Sequence, residues 1–178
     1  MVVESRIACA VMAGGEGRRF GDSAKFMAEA CGEPILSRLV KQLKKFCSHV
    51  VLVLTHRTCE VCSTFRDEPF VSCVELPGRD YVEDLGIVLR ALPKPLLVAA
   101  ADLVVSDKSL LDFVEVASRL KASVVTAEAT YGNEPMLLGL SMFHEEGGAW
   151  VNVPIGGSAV DVDERGDLER AERVCRQV

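Results

Sequence analysis

The sequence predicts an α/β fold built on a mostly parallel twisted sheet flanked by helices. Short, wholly apolar runs at 7–12, 50–54 and 96–101 alternate with segments whose apolar residues recur at helical spacing. That alternation is the pattern of a parallel sheet with helices on both faces. Strands that are apolar throughout are those covered on both sides. Beyond about residue 124 the chain is richer in strands than in helices, which leaves room for an antiparallel edge. No repeat, low-complexity stretch or linker interrupts it, and 178 residues suit one domain, 1–178, with a sizeable core.

The elements follow in order. The run 7–12 is a first buried strand, and it breaks into a glycine-rich loop. Residues 27–30 suit a short extended piece turned by Cys31-Gly32. Pro34 fits the first turn of a helix. There Ile35, Leu36, Leu39, Val40, Leu43 and Phe46 share one face, and Ser37, Arg38, Lys41, Gln42, Lys44 and Lys45 the solvated other. A second strand spans 50–54. Thr58 suits the cap of a short helix to about Phe65, and 71–76 is a third strand. Pro77-Gly78 turns the chain into a helix over 81–92, carrying Leu85, Val88, Leu89 and Leu92. The central strand 96–101 ends at Asp102. Ser106 or Asp107 can cap the next helix, with Leu110, Leu111, Val114 and Ala117 inward. Strands are expected at 124–127, 136–143, 150–155 and 158–162, and a last helix over 167–176, capped by Asp167.

Composition narrows the function. A hydrophobic content of 49% and a charged content of 26% describe a globular chain. A net charge of −6 argues against nucleic-acid or acidic-membrane partners. No apolar run reaches transmembrane length and no signal h-region opens the sequence, so a cytoplasmic protein is expected. Seven cysteines is an odd number. Cys9, Cys47, Cys73 and Cys175 sit in apolar runs and read as small core hydrophobes in a reducing compartment. Cys59-x-x-Cys62 lacks a second pair at zinc spacing, and His49, His56 and His144 are scattered.

The loop after the first strand carries the chemistry. It runs Ala13-Gly14-Gly15-Glu16-Gly17-Arg18-Arg19-Phe20-Gly21, with Lys25 close behind. Glycines let backbone N–H groups face an anion without a Cβ in the way. Arginines add forked donors matched to phosphate oxygens, and lysine adds a compact positive charge. These residues point to a triphosphate site at the carboxyl end of the first strand. The P-loop pattern is absent. The dinucleotide fingerprint also fits poorly, because the second strand ends in Thr55-His56 where a ribose-binding acid belongs. A dehydrogenase is disfavoured accordingly.

Asp102 ends an all-apolar strand at the sheet edge where ligands bind in open α/β folds. A carboxylate there is placed to hold Mg²⁺, which bridges to phosphates through oxygen ligands. Asp161 and Asp163 stand at the end of the last strand, and only one of them is expected to face such a site. The stretch from Pro77 to Leu85 is the second dense one. Gly78 suits close backbone approach, Arg79 an anion, and Tyr81 stacking or a hydrogen bond, but a tight turn before a charged helix start explains it equally.

The glycine loop with Lys25 resembles the A-G-G-x-G-x-R-M-G…K-P signature of the nucleotidyltransferases, a group that includes molybdenum-cofactor guanylyltransferases and sugar-phosphate nucleotidyltransferases. More narrowly, Gly78 to Leu85, followed by Pro95-Leu96-Leu97-Val98 and Asp102-Leu103, is similar to the archaeal GTP:adenosylcobinamide-phosphate guanylyltransferases. Asp163 to Leu168 resembles the N-T-x-x-D-L close of that family. The resemblance covers about the first 105 residues and the last 20. It implies a Rossmann-like nucleotidyltransferase fold and GTP on the loop. It implies catalytic roles for Arg19, Lys25 and Asp102, and Mg²⁺ held by Asp102 and Asp163. Nucleotide contacts are expected from Ala13, Gly14, Gly15, Gly17, Arg18, Thr55, Leu76 and Gly78. Phe26 stands where the family has proline, Asp163 where asparagine is usual, and 128–157 match poorly.

The implied reaction moves GMP from GTP to a phosphorylated acceptor, a corrinoid in the narrower resemblance, with release of pyrophosphate. Guanylyl transfer to molybdopterin is the nearest rival, sharing the nucleotide and differing in acceptor. A non-catalytic GTP-binding domain is the rival of another class, disfavoured because binding alone needs no metal carboxylate. A monomer or homodimer is expected.

Overall fold

The structure, a computed structural model, describes residues 7–15, 20–21, 24–131, 134–155 and 158–176. Arg18, Arg19 and Gly17 of the expected site lie outside the described residues.

The main sheet contains β1 (Ile7–Met12), β4 (Cys47–Leu54), β5 (Val71–Glu75), β6 (Leu96–Ala100), β8 (Val124–Tyr131), β9 (Glu134–Phe143) and β10 (Trp150–Pro154). Two small antiparallel pairs stand apart: β2 (Glu29–Ala30) with β3 (Glu33–Pro34), and β7 (Leu103–Val105) with β11 (Ala159–Asp161). The helices are α1 (Ile35–Leu43), α2 (Tyr81–Ala91), α3 (Asp107–Arg119) and α4 (Asp167–Cys175). The strand order is β10-β8-β9-β6-β1-β4-β5. β1 runs parallel to β4 and β6, β4 to β5, and β8 to β10. The antiparallel member, β9, is not at the edge. It lies between β6 and β8 and opposes both. Only two residues separate β8 from β9, so they pair directly as antiparallel neighbours.

The helices cover the sheet as their periodicity predicts. Leu36, Leu39 and Leu43 of α1 join Phe113 and Val114 of α3 over one face. Val88 and Leu89 of α2 meet Ala10, Met12, Val53 and Val98 on the other. Ala171 and Val174 of α4 close over Val104 and Val160 of the small β7–β11 sheet and over Val162 just past it. Among the described residues no helix is long and apolar enough to cross a membrane.

Four expectations change. In α3 the buried set is Leu110, Phe113, Val114 and Ala117, while Leu111 is half exposed, because the buried face runs through i, i+3, i+4 and i+7. Gln42 belongs to the buried face of α1. Its Nε2 donates to the Val105 carbonyl at 2.9 Å and to Asp107 Oδ1 at 2.6 Å, tying α1 to β7 and to the start of α3. Asp167 does not cap α4. Its Oδ2 accepts from the Asp163 and Glu164 amides at 3.0 and 2.9 Å and fixes the turn ahead of that helix.

The cysteines are the fourth change. They do not stay as separate apolar side chains: Cys9–Cys47, Cys31–Cys175 and Cys62–Cys73 are disulfide-bonded, with Cα–Cα separations of 6.0, 5.6 and 6.1 Å. Those separations lie within the range a disulfide needs. The pairing of β1 with β4 sets Cys47 opposite Ile7 and Cys9 opposite Val50, which brings the two cysteines within bonding reach across neighbouring strands and which sequence spacing does not reveal. Cys59 keeps a free thiol, so the C-x-x-C pair is not a unit.

Replacing Gln42 by alanine leaves the Val105 carbonyl without this partner. The expected cost is about 1–3 kcal/mol, read as a lower urea midpoint with an unchanged slope.

Candidate active site

The site forms where β1 and β6 end. The Ala13 amide donates to the Val53 carbonyl at 2.8 Å, so the ladder outlasts β1 by one residue before the loop leaves the sheet at Gly14. On the other side the Ala101 amide donates to the Met12 carbonyl at 3.1 Å. Between these strand ends opens a cleft of about 470 Å³, lined in part by Ala13, Gly14, Gly15, Lys25, Asp102 and Asp163. Gly78, Arg79, Tyr81 and Asp84 line its other side.

Lys25 begins a single 3₁₀ turn, Lys25–Met27. Phe26, 3% exposed, anchors that turn in the core, and the lysine points into the cleft. Its ammonium contacts Asp102 Oδ2 and lies 3.0 Å from Asp163 Oδ1. Partial burial acts to lower the Lys25 pKa, but the two carboxylates outweigh it and the net shift is upward. Asp163 reaches Asp102 because the small sheet continues past its last pair. The Val162 amide donates to the Asp102 carbonyl at 3.0 Å, which lays residue 163 alongside.

Alternation does not set Asp161 and Asp163 on opposite faces, because residues two apart on a strand share a face. Asp161, where β11 ends, is partly buried close to Asp102 and Asp163 without itself lining the cleft. Its Oδ2 accepts from the Gly139 amide at 2.8 Å, and its Oδ1 is buried without a hydrogen-bond partner. Burial first, and then the nearby Asp102 charge, push its pKa up to about 7. Gly139 must be small here, since an added Cβ would lie 2.4 Å from the Ala100 Cβ. Tyr81 looks onto the same cluster. Desolvation, and then the Asp161 and Asp102 charges, raise its hydroxyl pKa.

Thr55 does not line the cleft. It is 2% exposed and packs behind the lining. Its Cγ2 fills the space where a Cβ on Gly14 or Gly78 would stand, at 2.7 and 2.4 Å. Gly78 also has φ +67°, which favours glycine. Leu76 is likewise not in the lining; its amide continues the sheet to the Leu54 carbonyl at 2.9 Å. Of the expected residues, the structure thus brings Ala13, Gly14, Gly15, Lys25, Gly78, Asp102 and Asp163 to one cleft, and sets Thr55 and Leu76 behind it.

Sequence reasoning missed Asp84. It is 5% exposed, and its Oδ1 accepts from the Gly78 amide at 3.4 Å. The signal was its place four residues before buried Val88, which puts both on one helix face.

Among the described residues no group of three His, Cys, Asp or Glu side chains has metal-binding geometry. Asp102 and Asp163 nevertheless suit Mg²⁺, which is commonly held by one or two carboxylates and completed by substrate phosphates and water.

Comparison with known proteins gives the same picture of the fold. The family model described as MobA-like NTP transferase domain matches residues 9–149. The chain is 27% identical over 125 residues to the adenosylcobinamide-phosphate guanylyltransferase of Methanocaldococcus jannaschii, covering 67% of this chain. That match spans 64% of the relative's own length. Among solved structures, one from Bacillus anthracis in complex with a sucrose superposes with a TM-score of 0.78 at 14% identity, covering 96% of each chain. The inositol-1-phosphate CTP transferase of T. maritima superposes with a TM-score of 0.74 at 11% identity, covering 97% of this chain and 98% of that one.

Two outcomes follow from the geometry. Gly14→Ala is expected to cost about 1–3 kcal/mol through its clash with Thr55, and adding Thr55→Ser should recover most of it in urea titrations. The second concerns Asp161 in metal-free protein. A carboxyl whose pKa rises on folding makes the folded state bind more protons between about pH 4 and pH 7. It therefore lowers stability as pH rises through that window, by at most about 1.4 kcal/mol per pH unit. Melting curves at several pH values should show Asp161→Asn gaining on the wild type as pH rises; parallel profiles would refute this.

Proposed function

The chain belongs to the MobA-like NTP transferase domain family, and from that premise we propose that it transfers GMP from GTP to the phosphate of adenosylcobinamide phosphate. The observation that carries a transferase reading is the meeting of Lys25, Asp102 and Asp163 beside Gly14 and Gly15 in one cleft. The acceptor is supported by the name of the M. jannaschii relative and by the motif from Gly78 to Leu85.

An oxygen of the acceptor phosphate attacks the α-phosphorus of GTP and forms a new O–P bond. The bond from that phosphorus to the α,β-bridging oxygen breaks, and pyrophosphate leaves with the electron pair. The acceptor phosphate is already anionic, so no protein nucleophile is needed. Catalysis rests on positioning and on neutralising charge. Backbone N–H groups of Gly14 and Gly15 face the phosphates, as do Arg18 and Arg19 in this reading. Lys25 stabilises negative charge on the phosphates and the departing pyrophosphate. Asp102 and Asp163 would hold Mg²⁺, which supplies Lewis-acid charge stabilisation when bound. The guanine is assigned to the side of the cleft formed by Ala13 and Gly78. Asp84 holds the Gly78 loop in place through its amide, and Thr55 sets the spacing between the two glycine segments.

Incubation with α-labelled GTP and either adenosylcobinamide phosphate or molybdopterin tests the acceptor. Label should move to the corrinoid with release of pyrophosphate. Transfer to molybdopterin alone would replace this acceptor, and binding without pyrophosphate release would point to a non-catalytic domain. Lys25→Ala and Asp102→Ala are each expected to lose at least about a hundredfold in rate. Near-normal turnover in either would show that the residue is misassigned.

A further inference from the structure

One ammonium stands where the proposed function calls for a divalent ion. Lys25 spans Asp102 and Asp163, and its side chain and that of Asp102 are only 13% and 15% exposed. A third carboxylate, Asp161, lies close behind. Three acids gathered at one strand edge repel each other, and the ammonium offsets part of that repulsion. Its backbone is fixed by Phe26 in the core. The four-carbon stem beyond the backbone is flexible, and Gly14 and Gly15 line the same cleft. The ammonium thus has the carboxylate pair as its partner in the free protein, and phosphates bound at Gly14 and Gly15 would offer it a second in the same cavity.

We infer that Lys25 is a resident counter-ion, holding the Asp102–Asp163 pair ready in the free protein and surrendering it to the metal when nucleotide phosphates arrive to receive the ammonium. This rests on the metal assignment of the proposed function. It adds that Lys25 competes with the metal when no nucleotide is bound. A cation approaching the free protein must expel the lysine from both carboxylates, and the other acids that line the cleft among the described residues, Asp80 and Asp84, already accept from the Val82 and Gly78 amides. With a triphosphate present, the displaced ammonium has a partner, so metal and nucleotide strengthen each other's binding reciprocally. The arrangement keeps the carboxylates from trapping a metal ion in the absence of substrate.

The probe is Mn²⁺, followed by its paramagnetic resonance signal in nucleotide-free protein. Lys25→Met is expected to bind Mn²⁺ on the order of tenfold more tightly than the wild type. Lys25→Arg, which keeps the charge, should stay as weak as the wild type. Lys25→Gln drops the charge but keeps a polar head, and it serves in place of the methionine variant if that one does not fold. In chelator the uncharged variant should melt below the wild type, and Mn²⁺ should raise its melting temperature by more than it raises that of the wild type. Nucleotide-free affinity no tighter in the uncharged variant than in the wild type would overturn the inference. Asp102→Asn, measured with a non-hydrolysable GTP analogue present, separates the two failures. If it weakens Mn²⁺ binding while removal of the Lys25 charge does nothing, only the counter-ion role falls. If it leaves Mn²⁺ binding unchanged, the metal assignment falls and takes the counter-ion role with it.

Discussion

The site is built around the confinement of like charges. Asp102, Asp161 and Asp163 converge at one sheet edge, and Lys25 is the ammonium that meets two of them. Bringing carboxylates together in a partly dry place is costly unless a cation or protons accompany them. The structure uses both means. Lys25 sits on Asp102 and Asp163, and Asp161 holds its proton more tightly than an ordinary carboxyl because it is buried beside Asp102.

The surrounding elements serve that convergence. Asp102 is set by β6, wedged between β1 and β9. Asp163 is delivered by the separate β7–β11 pair, whose hydrogen bonding runs on from Val162 to Asp102. Asp167 ties the following turn, and α4 packs over the small sheet. Lys25 is aimed by a short turn pinned through Phe26, the residue that replaces the family's proline. A large apolar side chain buried there holds the backbone by packing, where a ring would have restricted it by its own geometry.

The opposite side of the cleft depends on shape more than on charge. Thr55 fits between Gly14 and Gly78, and the space it fills excludes any Cβ at either position. Asp84 then accepts from the Gly78 amide and fixes that loop to α2. The two glycine-bearing segments are 64 residues apart in sequence yet share one threonine as their spacer.

Much of this was legible in the sequence. The buried strands around 7–12, 50–54 and 96–101 announced themselves by composition, and the helices by period, because burial on both faces or on one stripe leaves a local pattern. Lys25 and Asp102 stood out because each interrupts a pattern at a strand end or follows a glycine loop. Local pattern said nothing of pairings between distant segments. It did not show β9 entering the sheet beside β6, Cys9 meeting Cys47, or Gln42 turning inward to β7. Nor did it decide between Asp161 and Asp163: residues two apart on a strand share a face, and only the end of β11 at Asp161 lets Asp163 line the cleft while Asp161 stays partly buried near it. The sequence by itself determined the layered α/β fold and the loop chemistry, because both are written in neighbouring residues. Only the tertiary structure decided which carboxylates share the lysine, because that depends on which strand lies against which.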